Sequence, residues 1–224
     1  MRRTTKRRVA TGLALTGVAA VAGYALFPRP RLRHWGATKP EVGSSLPGDD
    51  RVSRPNYVST RAVTIHAPAS DVWPWLVQMG YHRGGLYSYD WLDRLFGYLD
   101  RPSADEVLPE HQALQVGDTV PLGKGPAWPV VQLEPERTLV LEPIAGVVTW
   151  AFSLVPVDPG TTRLVTRVRL HVPRTTKDRV MMTAMDPAAF FMTRRMLLGI
   201  KRRAEALAHH NGKSDPIRSD DLPS

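Results

Sequence analysis

The chain has 224 residues, 42% of them hydrophobic and none of them cysteine, which allows one domain with a sizeable core plus extensions. The lack of cysteine excludes disulfides, thiolate metal sites and cysteine nucleophiles. The net charge of +9 is concentrated in the first 33 residues, which hold eight basic and no acidic side chains. A nucleic-acid-binding domain carries its positive charge on the folded body, so we expect no nucleic acid as a partner.

Residues 9–27 are a run of 19 residues without a charge, long enough at helical rise to cross a bilayer core of about 30 Å. Five basic residues precede the run and three follow it. The heavier flank predicts a single-pass cell-membrane anchor, with the N-terminus cytoplasmic and the domain outside. Residues 1–27 could instead be a signal segment cleaved near Ala22, or a buried helix, against which the lack of a polar face argues.

Residues 28–56 are rich in Pro, Gly and Ser and are predicted to form a tether. Trp35 is isolated within this tether, so we expect its side chain to pack back onto the domain. The next ten residues, 57–66, alternate in character, which predicts the first strand; the side chains on one side are Val58, Thr60, Ala62, Thr64 and His66.

Two short helices are predicted after this strand. Pro68 suits a first helical turn and Gly80 a stop, while Pro74 inside the helix should kink or shorten it. A second helix is predicted from Ser88 to about Gly97. The first helix has one apolar stripe, formed by Val72, Trp75, Leu76 and Met79.

Beyond residue 115 the sequence changes to short β-rich runs separated by tight turns, which predicts an antiparallel meander. The strand within residues 147–157 has one large apolar face, made by Trp150, Phe152 and Leu154. Five such runs can be counted, at residues 116–122, 127–135, 137–143, 147–157 and 161–172.

The last element is predicted to be a long helix that lies on the sheet. Asp186 would be its N-cap and Pro187 its first residue, with residues 180–185 forming a separate helical segment before it. Residues 211–224 have almost nothing to bury and are predicted to be a disordered tail. The stripe facing the sheet would be Thr193, Leu197, Ile200, Ala204 and Leu207.

This element order resembles that of the START and pollen-allergen-like superfamily, also called SRPBCC. The run "TIHAPASDVWPWLVQMG" is similar to the family's first strand and helix. The runs "RGGLYSYDWL" and "RRMLLGIKRRAE" resemble a bacterial branch largely without assigned function. The resemblance covers about residues 57–208 and indicates a domain over residues 57–210. The family has typically six strands between the second and the last helix, whereas five are counted here.

The resemblance implies an α+β helix-grip fold. Its curved antiparallel sheet would have about six or seven strands, with two short helices after the first strand and a long C-terminal helix packed across the sheet. An apolar cavity lies between sheet and helix in this fold. Members of the family bind lipids, sterols, polyketides or hormones, and others are cyclases, dehydratases or chaperone activators. The fold alone therefore does not choose a function.

The aromatic run in "RGGLYSYDWL" would lie beside the cavity mouth in such a fold. Tyr87, Tyr89 and Trp91 would then line or cover the mouth, and Gly84 and Gly85 would let the loop move. Alternatively, these side chains close the end of an ordinary core. The other predicted ligand-binding residues, for which plain core is again the alternative, are Trp75, Met79, Trp128, Trp150, Phe152, Met192 and Met196.

No catalytic constellation stands out in the sequence. The histidines are scattered without the spacing of metal ligands, so no catalytic residue, metal site or cofactor is predicted. The first hypothesis is a membrane-tethered protein that binds a hydrophobic small molecule or lipid and has no enzymatic activity. The alternatives are a cyclase- or dehydratase-like enzyme in the same cavity, and a protein-interaction module with a vestigial pocket.

Overall fold

A computed structural model of the chain describes residues 29–123, 125, 127–171 and 175–214, with the backbone alone for residues 29, 30, 176–184 and 214. The chain divides into two units, residues 1–32 and 33–224. The predicted membrane segment, residues 9–27, lies outside the described residues, as does most of the predicted tail. Of the helices that the structure describes, none combines the length and the apolar character needed to cross a membrane.

Helices and strands follow one another in the predicted order. The helices are α1 (Arg29–Arg33), α2 (Lys39–Gly43), α3 (Ala69–Val77), α4 (Asp90–Leu95) and α5 (Thr176–Ser214). The strands are β1 (Tyr57–Ile65), β2 (Thr119–Pro121), β3 (Ala127–Glu134), β4 (Thr138–Ile144), β5 (Val148–Asp158) and β6 (Thr161–Leu170). Two 3-10 turns lie at Asp49–Arg51 and Pro109–His111.

The described strands form one antiparallel sheet in the order β1-β6-β5-β4-β3-β2. It has six strands, five of them after the short helices, so the count made from the sequence is confirmed. The pairing shifts register between Val130 and Gln132 in β3 and between Leu141 and Ile144 in β4. Such bulges bend and twist a sheet, which lets it wrap around a helix.

Helix α5 packs across the inner face of this sheet, as predicted. Its residues Leu197, Ile200 and Ala204 are fully buried and meet Phe152 and Leu154 of β5 in one core. Helix α3 adds its own stripe to the same core, with Pro74 inside its nine residues. The helical and strand periodicities therefore identified the two faces that bury each other.

The start of α5 differs from the prediction. The helix begins at Thr176 and continues through Pro187 to Ser214, so it includes the first four residues of the predicted tail, 211–214. Asp186 is therefore inside the helix, where it accepts two hydrogen bonds from the Arg33 guanidinium instead of capping the helix. Pro187 lacks an N–H, so the helix loses one internal hydrogen bond there and continues nevertheless.

The segment predicted as a tether is attached to the sheet. Residues 34–53, here called the strap, run along the outer face, so the folded unit begins at Arg33 and not at residue 57. Arg167 on β6, only 3% exposed, donates hydrogen bonds to Asp49 and to backbone carbonyls of the strap. Arg163 on the same face pairs with Glu41 at 2.7 Å. The strap has little apolar surface and is therefore held on the sheet by ion pairs.

The strap also reaches the free edge of β1. The N–H of Ala62 donates to the carbonyl of Trp35 at 3.1 Å, and Lys201 Nζ of α5 donates to the carbonyl of Thr64 at 2.7 Å. The Trp35 ring packs against the core, with the Arg194 guanidinium 5.2 Å from its centroid. The prediction that Trp35 folds back onto the domain is confirmed.

Candidate ligand cavity

A cavity of about 270 Å³ lies between the inner face of the sheet and α5. The sheet register places its lining residues side by side, because Ser59 on β1 faces Val168 on β6, which in turn faces Trp150 on β5. The lining residues are Tyr57, Ser59, Arg61, Trp128, Trp150, Val168, Leu170, Met185, Asp186, Ala189 and Thr193.

Tryptophan side chains make one wall of the cavity. The rings of Trp128 and Trp150 meet edge to face with centroids 5.7 Å apart, and Phe152 lies 4.9 Å from Trp150 on its other side. The indole N–H of Trp150 donates to Thr166 Oγ1 at 2.9 Å. Because this hydrogen bond satisfies the polar end of the ring and fixes its orientation, the aromatic surface toward the cavity is preorganised.

Polar side chains meet at the opposite end of the cavity. Asp186, 3% exposed, accepts from Arg33 Nε at 3.0 Å and Nη2 at 2.6 Å, both at its Oδ2 oxygen. Arg61, 2% exposed, donates to Thr193 Oγ1 at 3.2 Å. The Tyr57 ring lies against the Arg33 guanidinium, with 4.5 Å between its centroid and the guanidinium carbon. These five residues are called the polar cluster below.

Burial and neighbouring charges shift the pKa values of side chains in and beside the polar cluster. Burial raises the pKa of Tyr57, and a hydrogen bond with Asp186 raises it further, so Tyr57 is neutral at pH 7. Burial lowers the pKa of Arg61, while Tyr57 and Asp186 oppose that shift, and a guanidinium stays protonated in proteins. Burial and the nearby Arg33 lower the pKa of His34 from 6.5, so it adds no charge at pH 7. Among the described side chains, the polar cluster therefore contains the guanidiniums of Arg33 and Arg61 and the carboxylate of Asp186.

Only part of the predicted ligand-binding set lies at this cavity. Trp128 and Trp150 line it. Phe152 and Met196 are buried in the core behind it, and Met192 is partly buried on α5 without lining it. The apolar strand face was thus correctly identified, but its inner residues serve the core because α5 packs directly on them.

Trp75, Met79 and Tyr87 lie in the core at the other end of the sheet. All are at most 2% exposed, and the rings of Trp75 and Tyr87 meet edge to face at 6.0 Å. Trp75 also lines a separate groove of about 460 Å³ beside α5, away from the cavity. Gly199 of α5 lies so close to the Tyr87 backbone that no side chain fits between them. The close approach at this glycine is therefore between α5 and the Tyr87 loop.

The loop predicted as a gate is held tightly in place. Gly80 and Gly85 exchange two backbone hydrogen bonds of 3.0 Å, and Gly84 packs against the Tyr87 hydroxyl and the buried Gln78 side chain. The glycines therefore permit close packing and are not a hinge. The other two predicted gate residues lie apart: Tyr89 is partly buried, 5.6 Å from the Arg195 guanidinium, and Trp91 is 67% exposed.

Sequence reasoning missed most of the polar cluster. Tyr57, Ser59 and Arg61 alternate on the inward face of β1, and Asp186 had been interpreted as a helix cap. The signal was an arginine in the middle of an otherwise uncharged strand. An inward charge of this kind needs partners, and the last helix supplies Thr193, which accepts a hydrogen bond from Arg61, and the nearby carboxylate of Asp186.

Comparisons with known proteins give only distant similarities. No family model and no curated protein matches the chain. Among solved structures, it is similar to protein MLL2253 from Mesorhizobium loti, with 14% identity and a TM-score of 0.39 over 65% of this chain and 98% of that one. A Polyketide_cyc-like protein, Cgl2372 from Corynebacterium glutamicum, has 15% identity and a TM-score of 0.32 over 74% of this chain and 97% of its own.

The Zhui aromatase/cyclase from Streptomyces sp. R1128 has 16% identity and a TM-score of 0.35, over 71% of this chain and 98% of its own. Similarities at this level carry no ligand and no activity over to this chain. The fold is assigned from the order of the elements and of the strands in the sheet, not from these similarities. A strand, two short helices, five antiparallel strands and a final helix across the sheet follow one another as the resemblance implied. The chain therefore has the α+β helix-grip fold that its resemblance to the START and pollen-allergen-like (SRPBCC) superfamily implied.

Proposed function

We propose that this protein binds a hydrophobic small molecule in the cavity between the sheet and α5. The observation that carries the proposal is the combination of a tryptophan wall, Trp128 and Trp150, with buried polar side chains at the opposite end. Ligand sites in proteins are typically apolar cavities with a few placed polar groups, and they start at about 300 Å³. The cavity of about 270 Å³ is close to that size.

The tryptophan wall can supply affinity for a ligand, and the polar cluster can orient it. Each Å² of apolar ligand surface removed from water contributes about 25 cal/mol, so contact with an indole face is favourable without directional bonds. The side chains of Arg61 and Thr193 already hold each other by a hydrogen bond, which limits the entropy lost when a polar ligand group binds there.

A cyclase- or dehydratase-like enzyme is the second candidate. The observation that favours it is the convergence of a phenol, Tyr57, and a carboxylate, Asp186, at the cavity. With its raised pKa, Tyr57 remains a hydrogen-bond donor for a carbonyl group at neutral pH, whereas the carboxylate of Asp186 can accept a proton. This candidate would be supported if the wild-type protein converts a bound ligand to a product and the Asp186→Asn variant does not.

The binding proposal is tested with a neutral apolar fluorescent probe, N-phenyl-1-naphthylamine. Trp150→Ala removes part of the wall and is expected to weaken probe binding by about tenfold or more, or about 1.4 kcal/mol. Trp91→Ala is the matched control, since this tryptophan is 67% exposed on α4 and does not line the cavity; probe affinity should not change. Val168→Trp should also block binding, by filling the cavity.

Two results would contradict the proposal. One is a wild-type protein that does not bind the probe. The other is equal loss of binding in the Trp150→Ala and Trp91→Ala variants, which would place the probe elsewhere. Far-ultraviolet circular dichroism on each variant shows whether it is folded, so a loss of structure is not mistaken for a loss of binding.

We also propose that residues 9–27 hold this domain at the membrane as a single-pass anchor, with a lipid as one possible ligand class. The support is the uncharged run of 19 residues and its basic flanks. Removal of residues 1–27 is expected to release a folded domain from the membrane fraction. A truncated protein that still sediments with membranes after a high-salt wash would contradict the anchor. A mature chain that begins near Gly23 would show a cleaved signal instead.

A further inference from the structure

We infer that an exposed apolar patch on α4 and the turn after it docks this domain onto an anionic membrane surface. Four large side chains form this surface, here called the α4 patch: Trp91, Leu95, Phe96 and Tyr98. None of them lines the ligand cavity, so the inference goes beyond the proposed ligand binding and rests on none of its residues. It also does not depend on how residues 1–27 behave.

The α4 patch is exposed and contiguous. Trp91 is 67% exposed, Leu95 71%, Phe96 55% and Tyr98 37%. The described part of the chain has ten large hydrophobic side chains with this degree of exposure, and four of them lie within residues 91–98. Trp91 and Leu95 are one helical turn apart on the same face, and the rings of Phe96 and Tyr98 lie 6.1 Å apart. Single exposed apolar residues are ordinary, whereas a group of them marks an interaction surface.

Polar contacts hold the other side of α4 on the domain. Asp93 is fully buried and accepts a hydrogen bond from Ser88 Oγ. Asp90 accepts from the N–H and the hydroxyl of Ser103 at 3.0 and 2.8 Å. The N–H of Tyr98 donates to the carbonyl of Asp93 at 2.7 Å, which closes the turn after the helix. The apolar side chains are therefore presented outward from a fixed base.

The charges beside the α4 patch indicate an anionic partner. Each acidic side chain of residues 88–101 already accepts a hydrogen bond within the domain, that of Asp100 from the N–H of His82. Two exposed arginines lie beside the patch: Arg94 on α4 itself, and Arg195 on α5, whose guanidinium lies 5.6 Å from the centroid of the Tyr89 ring. Neither arginine forms an ion pair with a described side chain. Their positive charges complement a negatively charged surface.

The residue types favour a lipid surface over a protein partner. Trp and Tyr are enriched where proteins meet the membrane–water interface, because their rings are apolar with a polar edge. Leu95 and Phe96 supply groups that can enter the acyl region, while arginine side chains extend to the headgroups. An anionic bilayer matches both properties, since negative headgroups lie above an apolar layer. It also accepts protruding side chains without a complementary pocket.

The lack of cysteine in the chain allows a test at a single labelled position. The full-length Leu95→Cys variant is labelled with bimane and mixed with vesicles of phosphatidylcholine and phosphatidylglycerol that carry bromine on their acyl chains. Bromine quenches a label that contacts the acyl chains, so the label at position 95 should lose fluorescence. Val157→Cys is the matched control, since Val157 is 62% exposed near the end of β5, and a label there should keep its fluorescence.

The same label tests the role of charge. Vesicles of phosphatidylcholine alone should quench it much less than the anionic vesicles do. On anionic vesicles, Arg94→Gln should lower the ratio of docked to undocked domain about fivefold, as expected for one basic residue near an anionic surface. Arg195→Gln should have a similar effect. Arg137→Gln is the control, because it removes an exposed arginine between β3 and β4 and should leave the quenching unchanged.

Three results would overturn the inference. Equal fluorescence of the labels at positions 95 and 157 would show that the α4 patch does not enter lipid. Equal quenching of the label at position 95 by neutral and anionic vesicles would remove the role of charge. Emission from position 95 that depends on protein concentration without vesicles would assign the patch to a second copy of the chain. Leu95 and Val157 are exposed, so neither replacement should unfold the domain. Probe binding in the cavity is measured separately, so the proposed function can stand if this inference fails.

Discussion

Replacing Arg167 with methionine is expected to destabilise the domain by about 3 kcal/mol, the lower end of the roughly 3–5 kcal/mol measured when one partner of a buried ion pair is removed. The guanidinium is 3% exposed and donates to Asp49 Oδ2 at 2.5 Å and to Thr60 Oγ1 at 2.9 Å. It also donates to three strap carbonyls, those of Glu41, Ser44 and Val42, at 2.6, 2.9 and 3.2 Å. The lower end applies because Arg169 still lies 3.4 Å from Asp49 and the strap carbonyls can recover water.

The assay is urea unfolding followed by tryptophan fluorescence and by far-ultraviolet circular dichroism, which should report one transition. Arg137→Met is the matched control, since it removes an exposed arginine between β3 and β4 and should change stability by less than about 0.5 kcal/mol. A double-mutant cycle with Asp49→Asn should give a coupling energy of about 1 kcal/mol or more between the two side chains.

A cost below about 1 kcal/mol for Arg167→Met would refute this reasoning, because that is the size of an exposed ion pair. The strap would then be a tether that rests on the sheet without stabilising it, as its composition suggested. Equal losses of stability in the Arg167→Met and Arg137→Met variants would refute it as well.

Gly199→Ala should destabilise the domain by about 1–3 kcal/mol, because a methyl group there overlaps the backbone of the Tyr87 loop. Gly212→Ala in the same helix has open space around it and should stabilise the domain by up to about 1 kcal/mol. Urea unfolding midpoints measure both changes in stability. Stability should also fall in acid. Hydrogen bonds from Arg163 lower the pKa of Glu41 in the folded state from its usual 4.5, so the pair contributes above pH 4.5 and its contribution is lost as the pH falls below that value. Glu41→Gln should therefore flatten the dependence of urea midpoints on pH in this range, and an unchanged slope would contradict the assignment.

Periodic patterns in the sequence predicted the fold well. The alternation in β5 and the three-four spacing in α5 identified side chains that are fully buried against each other, such as Phe152 and Leu197. These patterns are informative because one face of each element must be apolar wherever a single core forms. The five short strands after the helices were found for the same reason, with turn residues between them.

The strap could not be found in this way, because it binds through charges. Its short helix α2 has five residues and no buried side chain, and its attachment depends on Glu41 and Asp49 meeting arginines more than a hundred positions later. A segment with little apolar surface resembles a linker in composition. Only the repeated arginines on one face of β6 indicated that acidic partners had to cover it.

The candidate site was predicted in part, for a related reason. Trp128 and Trp150 could be predicted as cavity residues, because large apolar rings on a strand face must be covered either by the core or by a ligand. Arg61 and Asp186 are single charges in separate elements, and how close they come at the cavity depends on how α5 crosses the sheet. Tyr87 was predicted to line or cover a cavity mouth because it lies in an aromatic run after two glycines, and the resemblance places that run beside the mouth. Those glycines instead allow packing so close that the Tyr87 ring is enclosed.

The bond between Ala62 and Trp35 has a consequence for self-association. Strand β1 is an edge of the sheet, and a nine-residue edge with unpaired N–H and C=O groups is a template for pairing with a second molecule. Trp35 occupies the N–H of Ala62 and Lys201 occupies the carbonyl of Thr64, so another strand cannot add there without displacing both. At the opposite edge, β2 has only three residues, the last of them Pro121. A chain shortened past Trp35 would lose the hydrogen bond to Ala62 and leave that part of the β1 edge open, so we expect it to form strand-paired oligomers.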